Sequence, residues 1–190
     1  MPETMLMKSD AWESRAWEGD DLPGGGRSEA NRTVVFLMIA GAVMLFTTFT
    51  ASYLVRREAA GWGKVSLPAI CWVGTAFLVA SSVTMELARR KTASARLWLG
   101  TTIGLGVLFA LGQVEAWRQL RASGVTASSG AHSGFVYMLT SVHAAHLAAG
   151  IVVLVVALRR AGRGSLGGCA AWWHFTGAAW IWVAAVLTVF

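Results

Sequence analysis

Charged side chains are scarce in this 190-residue sequence: Asp, Glu, Lys and Arg together make up 14%, against roughly 25% in soluble globular chains. With 55% hydrophobic residues and a mean hydropathy of +0.55, that scarcity excludes an ordinary water-soluble domain. Cysteine is nearly absent. The two thiols, Cys71 and Cys169, are too few for a disulfide framework or a thiolate metal site. The start of the chain lacks the basic opening and apolar stretch of a secretory signal. No pair of matching halves suggests an inverted-repeat transporter. The apolar runs also lack the period-two alternation of a membrane barrel wall.

What is present is a set of long apolar runs. A hydrocarbon layer of about 30 Å takes roughly 20 helical residues to cross, and five stretches reach that length: about 32–56, 66–88, 96–118, 134–158 and 169–189. The expected fold is all-α, a polytopic membrane protein built as a five-transmembrane-helix bundle over 32–190. Pro68 is placed in the first turn of the second helix, where its missing N–H costs little. Ser141, Ala145 and Ala149, and likewise Gly100 and Gly104, recur every fourth residue. Small residues at that spacing are expected to bring neighbouring helices close.

Basic residues mark the ends of the runs. Arg56/Arg57, Arg89/Arg90/Lys91 and Arg159/Arg160 each stand where an apolar segment stops, as interfacial anchors do. They do not line one solvated face, so the net charge of +6 does not indicate a nucleic-acid partner. Eleven Lys/Arg fall on the side of the N-terminus and five on the other. The positive-inside rule therefore places the N-terminus in the cytoplasm and the C-terminus outside. In that arrangement Cys71 and Cys169 lie near opposite faces, too far apart for a disulfide. Residues 1–31 carry seven acids, three bases and a Pro-Gly-Gly-Gly break. They read as a polar, flexible cytoplasmic tail, in which Trp12 and Trp17 are placed to touch headgroups or a partner.

Ionisable groups within lipid are costly, and each is a candidate for function. Glu86 precedes Arg90 by four residues, a favourable helical pair. Glu115 lies near the outer end of the third helix beside Gln113, Trp117 and Arg118, placed either for an interfacial hydrogen bond or for a partner-facing network. His143 and His146 share a helix face roughly 12 and 16 Å below Phe135. A metal would need further ligands at that depth, and no Asp, Glu or Cys supplies them there. His174 sits only about 4–5 Å inside the cytoplasmic edge, not level with His146 at roughly 18 Å, so the two do not clamp a haem. Buried, hydrogen-bonded histidines fixing helix contacts are expected. No catalytic, cofactor-binding or metal residue is assigned to this chain.

Several segments resemble subunit III of the haem–copper oxidases, in its short bacterial form of five helices. SSVTMELARR (81–90) is similar to that family's Ser-Ser-Val-Thr and basic stop. GQVEAWRQL (112–120) resembles its Gln/Trp helix end. FVYMLTSVHAAHLAAG (135–150) is close to Phe-Tyr-x-Leu-Thr-Gly-x-His-Gly-x-His-x-x-x-Gly. WWHFTGAAWIW (172–182) resembles Tyr/Trp-Trp-His-Phe-x-Asp-x-x-Trp. The order and spacing agree across 32–190. Three departures stand out. Gly41 and Ala42 replace a Ser-Glu pair in the first helix, Thr176 and Gly177 fall where an Asp is common, and the family's third-helix Glu is one residue out of register with Glu115.

The resemblance implies an accessory subunit of a respiratory cytochrome c oxidase in a bacterial inner membrane. It would pack on subunit I, beside subunit II. Haem and copper are then expected in those partner subunits and none in this chain, with bound phospholipid. The implied roles are support of proton uptake and of stability in a complex that reduces O2 and pumps protons. His143, His146, His174 and Trp173 become packing or lipid-contact residues, with Glu115 and Glu86 as lesser candidates. A subunit of a quinol oxidase or nitric oxide reductase remains open on the sequence, as do a small transporter using the histidine face and a stand-alone assembly factor.

Overall fold

A computed structural model describes residues 25–58, 67–160 and 166–189. They form five long helices: α1 (Gly25–Arg57), α2 (Ile70–Arg90), α3 (Ala95–Ala122), α4 (Ala131–Arg159) and α5 (Gly167–Val189). All five are long and apolar enough to cross a membrane, α1 through its part Arg32–Arg57. The all-α, five-span expectation therefore holds. Most of the expected polar tail, with Trp12 and Trp17, lies outside the described residues.

The helix ends follow local chemistry. α2 begins at Ile70, so Pro68 stands two residues before the helix rather than in its first turn, and its carbonyl accepts the Cys71 N–H at 2.9 Å. α3 runs past Arg118 to Ala122, because charged side chains of good helix propensity do not end a helix. Gly124 stops it with φ +81°, a left-handed conformation that glycine adopts without a Cβ clash. There the Val125 N–H bonds Leu120 O at 2.9 Å and the Gly124 N–H bonds Arg121 O at 3.0 Å. This paired closure is a Schellman motif.

The helices alternate in direction. The starts of α1, α3 and α5 share one end of the bundle with the ends of α2 and α4, where Ala88, Leu99, Leu154 and Ala170 belong to one buried cluster. A Cβ on Gly168 would lie 3.4 Å from Val35 at that same end. A second cluster at the other end joins Phe46, Tyr53, Leu120, Val136, Leu139 and Val183. α5 packs against α1, α2 and α4, also meets α3 through Trp173 and Trp180, and is the most buried span, whereas α1 is the least covered and, among the described residues, packs against α4 and α5. Cys71 and Cys169 sit at the starts of α2 and α5, at opposite ends, and both thiols are free.

The small-residue stripes behave otherwise than expected. Ser141, Ala145 and Ala149 are exposed, and Cβ atoms built on Gly100 and Gly104 meet nothing within 4 Å. These faces point away from the bundle. Close approach occurs at glycines that receive aromatic rings instead: Gly74 under Phe109, Gly106 under Trp173, and Gly150 under Trp172 and Trp173. A flat indole needs a bare Cα to lie against, and a four-residue spacing alone does not reveal where one will be required.

Candidate functional site

α4 brings His143 to the centre of the bundle, fully buried. Its ring meets Phe109 of α3 edge-on, with centroids 5.6 Å apart, and lies 5.1 Å from Trp180 of α5, while Phe109 and Trp180 meet at 4.9 Å. Three helices thus converge on one aromatic cluster. Neither ring nitrogen of His143 has a hydrogen-bond partner among the described residues. That corrects the expectation of a hydrogen-bonded histidine here. The neighbours are rings, whose π faces offer only weak acceptors.

His146, one turn further on, does make a bond. Its Nδ1 is 2.8 Å from the Val142 carbonyl, which can only accept, so Nδ1 carries the proton. The ring stacks on Trp172 at 5.8 Å and 22° and lies 5.5 Å from Phe46 of α1. That side-chain bond stays within α4; what joins the helices is the stacking, together with the Trp172 Nε1–H donating to the His146 carbonyl at 3.4 Å. His174 takes neither role, because it is exposed on the outer side of α5.

Trp173 is buried between Gly106 and Gly150 and donates its Nε1–H to Ser81 Oγ of α2 at 3.0 Å. Trp173 was expected as a packing residue, but the series of indole hydrogen bonds to which it belongs was not foreseen. Trp180 donates to Thr75 of α2 at 2.9 Å, Trp182 to Thr50 of α1 at 3.1 Å, and Trp117 of α3 to Thr140 of α4 at 3.0 Å. Each indole N–H satisfied by a hydroxyl on another helix ties two elements where no water competes. Ten tryptophans in 190 residues, with Ser and Thr inside the spans, were the available signal. Also missed was His132, whose Nε2 lies 3.1 Å from Tyr53 Oη at the end of the bundle opposite His174.

The two carboxylates serve locally. Glu86 receives both Arg89 bonds at 2.9 Å and Arg90 at 2.6 Å, so the Arg90 pairing holds and Arg89 joins it. Glu115 is 3.7 Å from Arg118, and Gln119 donates to it at 3.4 Å. Ala42 is buried while Gly41 faces outward with open space around it. At Gly177 a Cβ would stand 3.5 Å from Ser82 Oγ, so a side chain there points at α2. Among the described residues, no three His, Cys, Asp or Glu come together as a metal site would require. The arrangement holds helices together through aromatic packing and indole–hydroxyl bonds.

No protein-family model matches the chain. Curated relatives do. The chain is 30% identical over 171 residues to cytochrome c oxidase subunit 3 of Corynebacterium diphtheriae, covering 78% of this chain and 82% of that one. It is 27% identical over 167 residues to the probable cytochrome c oxidase subunit 3 of Mycobacterium tuberculosis, covering 78% and 81%. Cytochrome c oxidase subunit 3 of Bacillus subtilis is 27% identical over 170 residues, covering 80% and 82%.

Proposed function

Because this chain belongs to the cytochrome c oxidase subunit 3 family, we propose that it is an accessory subunit that carries no redox centre and steadies the redox subunits beside it. Subunit I is the main partner and subunit II its neighbour, and haem and copper reside in them. The complex sits in a bacterial inner membrane with the start of α1 in the cytoplasm. The Lys/Arg asymmetry supports that orientation. Bound phospholipid and help with proton uptake belong to the same reading.

One observation carries it. His143 and His146, the ionisable groups deepest in α4, are occupied by aromatic packing with α1, α3 and α5. Their rings fix the bundle, which is what a supporting subunit requires of them. The small, outward stripes on α3 and α4 are available for helices of partner subunits or for lipid.

The test is recovery from membranes. An affinity-tagged chain, extracted in mild detergent, should bring with it a partner showing haem absorption. Recovery of the chain alone, from cells that assemble an active oxidase, would overturn the proposal.

A further inference from the structure

One side of α5 is left open. Trp173 and Trp180 bond hydroxyls of α2, and a Cβ at Gly177 would face Ser82 of the same helix. Trp182 reaches Thr50 of α1. At roughly 100° per residue these two sets stand on nearly opposite sides of α5. Between them lie Ala171, His174, Ala178, Ile181 and Thr188, all exposed, with half-buried Ala185 in the same stripe. Among the described residues α1 and α2 pack on α5 and not on each other. The stripe is therefore the floor of a groove whose walls are α1 and α2. Exposed apolar side chains line both walls: Phe36 and Val43, at seven-residue steps before Thr50, and Trp72 and Val79, three residues before Thr75 and Ser82.

The shape of the groove selects its occupant. The floor positions alternate steps of three and four residues, the seam that one helix presents to another. From Ala171 to Thr188 the seam runs about 26 Å along α5, most of the hydrocarbon thickness. A phospholipid lies within one leaflet and would cover about half of it. Two helices packed on opposite sides of α5 at about 8–10 Å leave between them roughly the 10–12 Å that one more helix fills. A second copy of this chain does not fit, because its own floor is equally recessed between α1 and α2. α5 has no Asp, Glu, Lys or Arg, and its single histidine, His174, stands on this floor. At the same end Arg32 opens the apolar span of α1, and Arg90 and Lys91 stand where α2 stops, all exposed. The mouth of the groove is cationic.

We propose that the groove between α1 and α2 receives one membrane-spanning helix of another subunit, packed along α5 and carrying an acidic side chain level with His174. A carboxylate there accepts a hydrogen bond from the imidazole, where lipid tails offer none, and lies beneath the cationic mouth. The same helix closes the open side of α5 and covers part of α1, the least buried span. The proposal rests on the reading of this chain as one subunit of a complex, because the helix comes from a second polypeptide.

Photo-crosslinking in native membranes tests it, with p-benzoylphenylalanine in place of Ala171 or of Thr188, the two ends of the seam. Both probes should mark the same hydrophobic segment of one partner polypeptide, at positions about 17 residues apart. Adducts with lipid alone, with a second copy of this chain, or with two different polypeptides overturn the groove assignment. Haem absorption in the same tagged preparation separates this proposal from the oxidase reading. A haem-bearing complex whose probes mark only lipid overturns the groove and leaves that reading standing. Adducts to a single spanning segment without haem support the groove and overturn the oxidase reading. His174→Leu should lower the crosslinked fraction about threefold, the size of one interhelical hydrogen bond, while His174→Gln stays near the natural chain. Equal fractions in all three overturn the acidic contact.

Discussion

Trp173 lies across Gly106 so closely that a methyl group on that glycine would stand 2.7 Å from the indole Cη2 and 3.0 Å from Cζ2. The buried indole has nowhere to go, because Gly150 holds its other side and its N–H is bonded to Ser81. Gly106→Ala should therefore cost about 1–3 kcal/mol of bundle stability, in the range for overpacked cores. Gly100→Ala, with open space around it, is the matched control and should be neutral or slightly stabilising. Thermal unfolding in detergent compares them, and equal melting temperatures would contradict the contact.

His143 should prove replaceable by an apolar ring. His143→Ala opens a cavity among Phe109 and Trp180, expected to cost about 2–4 kcal/mol. His143→Phe keeps an aromatic volume and loses no described hydrogen bond, so it should cost less than about 1.5 kcal/mol. The fraction of chain recovered in the complex reads the difference, with the haem spectrum of the recovered complex unchanged in both. A Phe variant as damaging as the Ala variant would show that the imidazole nitrogens are engaged.

Thr75→Val preserves shape but removes the acceptor of the Trp180 indole. Interhelical bonds of this kind in membranes are worth about 0.6–1.7 kcal/mol, and the loss should appear at that size in a denaturation series. A cycle with Trp180→Phe isolates the pair. Coupling near zero would mean that the indole finds another acceptor.

Gly124→Ala places a Cβ at φ +81°, which costs roughly 1–2 kcal/mol for an L residue. Asn tolerates that conformation better. The expected order of stability is Gly, then Asn, then Ala, read as the melting temperature of the purified chain. Indifference to the substitution would argue against the Schellman closure after α3.

Some features could be read before any coordinates. The five spans were legible because each is a run of about 20 apolar residues closed by charge, and the helix ends moved by only a few residues apart from the earlier start of α1. The Glu86–Arg90 pair was legible because residues four apart on one helix always neighbour one another. The stripes at Ser141/Ala145/Ala149 and Gly100/Gly104 misled, since spacing shows that residues share a face but not which way that face turns. The bonds from Trp173, Trp180 and Trp182 were hidden for a related reason: each partner lies on a different helix, more than 90 residues away.

Taken alone, the amino-acid order determined that the chain crosses a membrane five times as helices, and where each crossing stops. Backbone groups in hydrocarbon have no water to bond, so length and apolarity suffice for that outcome. The tertiary structure decided which helix lies at the centre, which glycines receive rings, and that the imidazole of His143 sits among aromatics without a described hydrogen bond. Those outcomes depend on how the helices rotate against one another, and rotation is set by contacts between segments far apart in the chain.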